Sequence, residues 1–253
     1  MEVVRTLGAP WLHLVTDYYW IQTIQAVGMA ATPEQYRDIY DYAQLVTDLD
    51  PGFRQVYPFT GAVIAVNVGD GRWVNTEEST RILEKGLKYD PDNIYLRILL
   101  SYNLTVFQKD FQRAAKLLEE TAKLPGAPSH VAGLATRLYA QAGDFDAGLA
   151  LASSLAESAE EPEMQAFFER RVLEVQLERV LERVDEAVAL WRQREGRAPP
   201  DVQALVSAGL LPSLPEDPLG GRIVLDETGR ARSTEQQKRL TDTVQMQLQE
   251  VSP

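Results

Sequence analysis

The chain repeats its turn signals at a fixed spacing. The turns KDFQRA and GDFDAG place Asp110 and Asp144 34 residues apart, and Pro91 and Pro125 have the same separation. A period of this length predicts helical hairpins that stack on their neighbours, because one hairpin cannot bury its apolar face alone. This repeat restricts the fold more than any other feature of the 253 residues.

A second pair of turns is spaced more widely. LDPGF and YDPDN place Pro51 and Pro91 40 residues apart, which is one period with about six residues added. We assign the excess to the loop at 69–75, GDGRWVN. The segment 58–71, PFTGAVIAVNVGDG, is rich in β-branched residues and glycine, but the period places it in a helix, and we predict one there.

A 34-residue period with G-D-aromatic and D-P turns is typical of tetratricopeptide repeats (TPRs). The chain resembles that family over about residues 52–160, and more faintly over 12–51. The resemblance implies paired helices, the second of which ends at a proline. It also implies small residues where paired helices touch, and Gly61, Ala114 and Gly148 fall at or near such places.

The predicted fold is therefore mostly α, with four parts. Residues 1–160 form a TPR-like helical-hairpin solenoid of three repeats and a degenerate first unit. Residues 161–196 form one long capping helix, 197–233 a short helix with a small β-hairpin, and 234–253 a flexible or weakly helical tail.

The long helix is predicted from its apolar spacing at about 163–195, which corresponds to roughly 50 Å. The stripe consists of Leu173, Leu177, Val180, Val184, Ala187 and Trp191, widened by Phe168, Val172, Val175 and Val188. A stripe this wide favours a helix that faces a core, with a dimerisation seam as the alternative. The charged face is predicted to be solvated, and it carries Glu169, Glu174, Glu178, Arg179, Glu182 and Arg183.

Prolines and glycines then organise residues 197–233. Asp201 can cap a short helix that Gly209 ends, and residues 222–226 and 230–233 read as two strands around a turn.

This segment resembles the region after the long helix in the major pseudopilins of type II secretion systems and in type IV pilins. The matching residues are Gly196, Pro199, Leu205, Val206, Gly209, Leu211, Pro212, Pro215, Asp217, Pro218 and Gly220. Leu219 departs from the family, which has Trp there, and the pseudopilin leader and hydrophobic helix are missing. The family's calcium loop has no matching residues, so we predict no metal site. The resemblance implies an envelope location, and the alternative is that the segment only covers the long helix; the two are compatible.

Composition narrows the function classes. The net charge of −12 and the absence of Lys and Arg clusters argue against nucleic acid as a partner. The chain has no cysteine, and its two histidines, His13 and His130, have no partner at metal-ligand spacing. We recognise no nucleotide-binding, hydrolase or metalloprotease motif. The sequence therefore predicts a protein that is not an enzyme and uses no cofactor.

Two sets of residues are candidates for partner binding. The resemblance to TPRs implies a concave groove, in which Asn103 and Arg137 fall at equivalent sites 34 residues apart. Leu99, Phe107 and Gln141 are their predicted neighbours, and Asn and Arg suit a peptide backbone or carboxylate. The alternative is that Asn103 and Arg137 lie on the surface in contact with water and bind no partner.

The second set is a candidate aromatic interface near the start of the chain. Trp11, Tyr18, Tyr19 and Trp20 lie within ten residues, and such side chains suit an interface or a membrane boundary. They suit equally well a cap on the first helix pair.

Together these features predict a non-enzymatic scaffold or adaptor that binds a protein or peptide in a bacterial envelope assembly, of the pilus or secretion type. The alternative is a permanent structural subunit of a larger complex or filament. The aromatic start fits a chain trimmed after a membrane anchor, which would place the protein on the periplasmic side, and fits equally an ordinary first helix of a cytoplasmic protein. The sequence leaves the oligomeric state open.

Overall fold

The computed structural model describes residues 11–242. Within them the chain is mostly helical, with ten helices and two small antiparallel sheets. The chain divides into two compact units, Met1–Pro128 and Ser129–Pro253. The predicted mostly α fold is confirmed.

Six helices and a short hairpin make up the first unit. They are α1 (Leu12–Met29), α2 (Pro33–Leu49), α3 (Val56–Ile64), β1 (Val66–Asn67), β2 (Trp73–Val74), α4 (Thr76–Tyr89), α5 (Ile94–Val106) and α6 (Phe111–Ala122). Each helix packs against the next one along the chain. The largest side chains of its core are Ile39, Tyr57, Ile64, Ile82, Leu83, Leu96, Leu104 and Leu118.

The second unit contains α7 (His130–Gln141), α8 (Phe145–Ser158), α9 (Pro162–Glu195), α10 (Val202–Ser207), β3 (Ile223–Leu225) and β4 (Ala231–Ser233). The long α9 packs against both α7 and α8, and also against α10 and β4. The bounds of α9 confirm the predicted long helix. The paired β3 and β4 confirm the predicted C-terminal hairpin.

The sequence repeat corresponds to a repeat of local structure. Asp110 begins α6 with φ −89° and ψ 71°, and its carboxylate accepts from the amide of Arg113 at 3.1 Å. Asp144 begins α8 with φ −88° and ψ 68°, and accepts from the amide of Ala147 at 3.1 Å. A side-chain oxygen here satisfies an amide that has no partner inside the helix. The two aspartates are thus equivalent helix N-caps, one sequence period apart.

One predicted helix is shorter than expected. Of the segment 58–71, only the part up to Ile64 is helical, because the chain then turns into β1 and pairs Val66 with Val74. Gly69, Asp70 and Gly71 all have positive φ, which a helix does not allow. The β-branched and glycine-rich composition decided the structure here, and the period did not.

Small residues lie where helices meet, as predicted. A Cβ atom on Gly61 would lie 2.5 Å from Cδ2 of Leu83, so α3 and α4 are too close for any larger residue without a shift. A Cβ atom on Gly148 would lie 3.4 Å from the backbone oxygen of Thr136. Ala114 is fully buried.

The C-terminal module, residues 197–233, covers the apolar stripe of α9. The shared core consists of Leu177, Leu181, Val184, Ala187, Val188, Val202, Leu205, Leu211, Ile223 and Ala231. Asp201 caps α10 by accepting from the amide of Ala204 at 2.8 Å, and Gly209 has φ 70°, as its place after the helix predicts. The prediction that this segment covers the long helix is thus confirmed, whereas the cap that α9 would form on a solenoid stays a prediction.

Two expectations for the second unit are corrected. Glu178 was assigned to the solvated face of the long helix, but it is 2% exposed and pairs with Arg239. The tail was expected to be flexible or weakly helical, yet residues 234–242 form no helix, and Arg239 and Leu240 within them are buried. The rest of that tail, 243–253, and the start of the first predicted part, 1–10, lie outside the described residues.

Candidate binding surfaces

The predicted groove residue Asn103 does not lie on a surface. It is 4% exposed, and its side-chain amide donates to the hydroxyl oxygens of Ser79 at 2.7 Å and Thr80 at 3.3 Å. Ser79 in turn donates to the backbone oxygen of Gly61 at 2.6 Å. Asn103 therefore ties α5 to α4, and its assignment to partner binding is corrected.

The other two predicted groove residues of the first unit are half-buried. Leu99 lies on α5, and Phe107 directly follows that helix. The ring of Phe107 lies 5.2 Å from Trp73 and 5.8 Å from Tyr102, measured between ring centroids. Sequence reasoning missed this aromatic cluster because the β1–β2 hairpin that presents Trp73 was placed in a helix and a loop.

Arg137 and Gln141, the predicted groove residues of the second unit, lie on α7 and are half-buried. Gln141 donates to the backbone oxygen of Thr241 at 2.9 Å, so its amide holds the C-terminal segment. Arg137 makes no ion pair within 4 Å in the part of the chain that the structure describes, and its Nε is buried without an acceptor. The pKa of Arg137 is lowered, first by burial and then by the nearby charge of Arg171, while Glu174 raises it.

Arg137 belongs to a group that sequence reasoning did not find. We call Arg137, Arg170, Arg171 and Glu174 the arginine cluster. Arg171 pairs with Glu174 at 2.9 Å, and Arg170 contacts the same carboxylate at 3.2 Å. Burial is the first cause that lowers the pKa of Arg171, whose guanidinium carbon lies 5.3 Å from the ring centre of Phe167.

The arginine cluster has a surplus of positive charge. Arg170 and Arg171 pair with the one carboxylate of the cluster, Arg137 does not, and the buried Nε atoms of Arg137 and Arg171 have no acceptor. A guanidinium is a donor in all its N–H groups and binds carboxylates with two parallel hydrogen bonds. The cluster therefore carries two positive charges more than its one carboxylate compensates, in a chain whose net charge is −12.

The predicted aromatic interface is only partly exposed. Trp11 and Tyr18 are 65% and 57% exposed, whereas Tyr19 and Trp20 are half-buried. The ring of Trp20 packs on Phe53 and Phe59, with centroids 5.4 Å and 5.3 Å away. Trp20 thus joins α1 to its unit, while Trp11 and Tyr18 face solvent.

The exposed side of α1 is apolar along its length. We call it the α1 face, and its members are Trp11, Leu14, Val15, Tyr18, Ile21, Ile24 and Met29, which are 40% to 73% exposed. The buried residues of this helix are instead Thr16 and Thr23, whose hydroxyls donate to the helix backbone at 2.8 Å. Apolar side chains thus lie on both sides of α1, since Trp20 packs into the unit while the α1 face is exposed.

A buried ion pair attaches the C-terminal segment to α9. Arg239, 4% exposed, donates from Nε to Glu178 at 2.7 Å and also pairs with Asp185. Glu178 accepts further hydrogen bonds from the amide of Leu240 and the hydroxyl of Thr241, both at 3.1 Å. Both charges are compensated, which a buried ion pair requires.

Two further findings concern only residues 11–242. Within that range, no helix combines the length and apolar content needed to cross a membrane. In the same stretch, no group of three or more His, Cys, Asp or Glu is placed to hold a metal ion.

In comparisons with known proteins, no protein-family model matches the chain, and neither does any curated protein.

Proposed function

We propose that this chain is a TPR-like helical-hairpin solenoid that serves as a non-enzymatic scaffold or adaptor for a protein or peptide partner. The repeated helix cap carries the proposal, since Asp110 and Asp144 adopt the same backbone conformation and bond at 34-residue spacing. Helix pairs that pack in chain order support it as well. Stacked hairpins provide an extended surface for other chains, which is the common use of such architectures.

The arginine cluster is our proposed contact for the partner. A carboxylate of the partner, from an acidic side chain or a chain terminus, would bind the positive charge of the cluster that Glu174 does not compensate. The proposal keeps Arg137 from the predicted groove set and drops Asn103, which is committed to the packing of α4 and α5.

We propose an envelope assembly as the setting, because the C-terminal module resembles the pseudopilin segment. Two apolar side chains of the module remain available to a partner, Leu214 at 54% and Val224 at 40% exposure. The outward direction of Val224 follows from strand alternation, since Ile223 next to it is buried against α9.

The test is crosslinking and mass spectrometry on the tagged full-length protein in its native cells. Removing residues 197–253 is a poor variant, because it would expose the stripe of α9. Arg137→Gln is the variant for the arginine cluster, with Arg183→Gln, an exposed arginine on α9, as its matched control. The double variant Leu214→Ser/Val224→Ser probes the module.

We expect envelope, pilus or secretion components to be recovered with the unaltered protein and with Arg183→Gln, and to be lost with Arg137→Gln. Loss with the module variant would place docking there as well. Recovery that is equal for all variants would contradict the arginine cluster as the contact, and recovery of cytoplasmic partners alone would contradict the envelope setting.

The second candidate function is a permanent structural subunit, and the α1 face favours it. An apolar surface of this kind is covered in a stable assembly. A subunit would remain in one large complex after mild extraction, whereas an adaptor would separate from its partner on dilution. Size-exclusion chromatography of the native extract distinguishes the two.

A further inference from the structure

The exposed residues along α1 are spaced as in a helix that packs against another helix. Trp11, Leu14, Tyr18, Ile21, Gln25 and Gly28 follow one another at alternating steps of three and four, and all six are exposed. These are the a and d positions of a heptad pattern, which places one seam of side chains along a partner helix. The polar Gln25 within the seam is the kind of residue that fixes register.

The side-chain sizes along this seam match those of a second copy that runs in the opposite direction, so that the largest side chain meets the smallest. If two copies of α1 run antiparallel, Trp11 of each lies opposite Gly28 of the other, and Tyr18 lies opposite Ile21. No atom lies within 4 Å of where a Cβ of Gly28 would be, so the space for the indole is open. A parallel pair would instead set Trp11 against Trp11 and leave two glycines facing each other.

Charge argues against a membrane surface as the occupant. Helices that lie on membranes carry Lys and Arg on the polar side, and anionic lipids attract such residues. α1 has no Lys or Arg, and Asp17 borders the seam. The seam itself contains no charged side chain, so it fits a second uncharged helix face better than anionic lipid headgroups.

We propose that a second copy of this chain covers the α1 face, in an antiparallel helix pair related by a two-fold axis. Such an interface is closed, because each copy uses the same patch. A helix of 18 residues is about 27 Å long, so the interface falls at the small end of specific ones. The dimer is therefore reversible and depends on concentration. The inference goes beyond the scaffold proposal and does not rest on it.

Cysteine crosslinking tests the orientation directly, since the chain has no cysteine of its own. Leu14→Cys and Gln25→Cys are made in two full-length copies with different tags, mixed and oxidised mildly. The antiparallel pair brings residue 14 of one copy to residue 25 of the other, within reach of a disulfide. We expect the mixed product in excess over either self-linked product. Self-linked products in excess, or no product, would overturn the proposal.

Sedimentation over a concentration series tests the interface itself. Ile21→Glu places a charge in the middle of the seam and is expected to weaken the dimer by at least about tenfold in Kd. His13→Glu, an exposed change outside the seam, is the matched control and leaves the dimer intact. Circular dichroism confirms that both variants keep their helix content.

Two other occupants would be revealed by the same series. A protein that stays monomeric until residues 1–10 are deleted, and then dimerises, would show that this segment covers the face, and the proposal would be wrong. Flotation of the unaltered protein with phosphatidylcholine vesicles, lost in Ile21→Glu, would show that the face binds lipid, and would overturn it equally.

Discussion

At the scale of single residues, the same side-chain type serves different purposes depending on what surrounds it. Asn103 and Arg137 occupy equivalent places in the sequence repeat, yet the side-chain amide of Asn103 donates to two hydroxyls inside its unit, whereas Arg137 has a buried Nε with no acceptor. Glu178 looks like any solvated helical glutamate and is one half of a buried ion pair. Burial and partners decide the role, and neither can be read from spacing.

Asn103→Ala is expected to destabilise the protein, because it removes a buried amide and leaves the hydroxyl oxygen of Ser79 without its donor. Loss of a buried hydrogen bond with truncation costs about 1–3 kcal/mol in the free energy of unfolding. Urea denaturation followed by circular dichroism measures the change. Tyr95→Ala, at an exposed site on the same helix, is the control and should change it by about 0.5 kcal/mol at most. An unchanged midpoint for Asn103→Ala would contradict the structural role.

Asp226 makes the second unit sensitive to acid. Its pKa lies well below the ordinary value, mainly because the hydroxyl of Thr228 donates to it, with further bonds from Arg230 and Arg232. A carboxylate whose pKa is lowered by folding stabilises the folded state above its unfolded pKa of about 3.9, and this contribution is lost as the pH falls towards the folded value.

Asp226→Asn is therefore expected to be less stable than the unaltered protein at pH 7, with a difference that shrinks as the pH is lowered below about 4. Urea midpoints at a series of pH values measure it. Glu227→Gln, the exposed neighbour, should show no such trend. A difference that stays constant with pH would show that the charge of Asp226 is not involved.

At the scale of elements, α9 holds the second unit together. Its stripe contacts the C-terminal module on one stretch and the α7–α8 hairpin on another, where Val175 joins Phe145 and Leu240 in one core cluster. The segment 234–242 is fastened over it by Arg239 and by the bond from Gln141 to Thr241. A segment that looks like a polar tail is thus part of the packed unit.

Arg239→Met should destabilise the second unit by about 3–5 kcal/mol, because Glu178 would remain buried without its cation. The double variant Arg239→Met/Glu178→Gln removes both charges, keeps an amide oxygen as an acceptor for Leu240, and is expected to recover most of that loss. Denaturant unfolding of the two variants measures the difference. A single variant as stable as the unaltered protein would mean that the ion pair contributes nothing to stability.

At the scale of the whole molecule, the acidic charge is the property that acts over distance. With a net charge of −12 and a pI of about 4.7, the chain repels polyanions at neutral pH. Local exceptions such as the arginine cluster act only on groups that reach them, since salt screens exposed charges beyond about 8–10 Å.

We therefore expect no binding to duplex DNA, even at 50 mM salt, where electrostatic binding is strongest. An electrophoretic mobility assay with a fluorescent duplex measures this, and a basic DNA-binding domain serves as the positive control. A shifted band that weakens as salt is raised would contradict the exclusion of nucleic acid.

The sequence by itself determined those helices, helix ends and turns whose formation depends on residues close together in the chain. The caps at Asp110, Asp144 and Asp201, the end of α10 before Gly209 and the long α9 all follow from the conformational and hydrogen-bonding preferences of a few neighbouring residues. The C-terminal hairpin was equally readable from its prolines and glycines. Where the period and the local composition disagreed, at 65–71, the composition was right because β-branched residues and glycine disfavour a helix.

Only the tertiary structure decided which polar residues became partners. Arg239 meets Glu178 across 61 positions of sequence, and Arg137 comes near Arg171 across 34. No local preference sets such contacts, because they depend on how helices pack. The exposed apolar face of α1 belongs to the same class, since the sequence shows aromatic residues close together but not which of them the unit leaves uncovered.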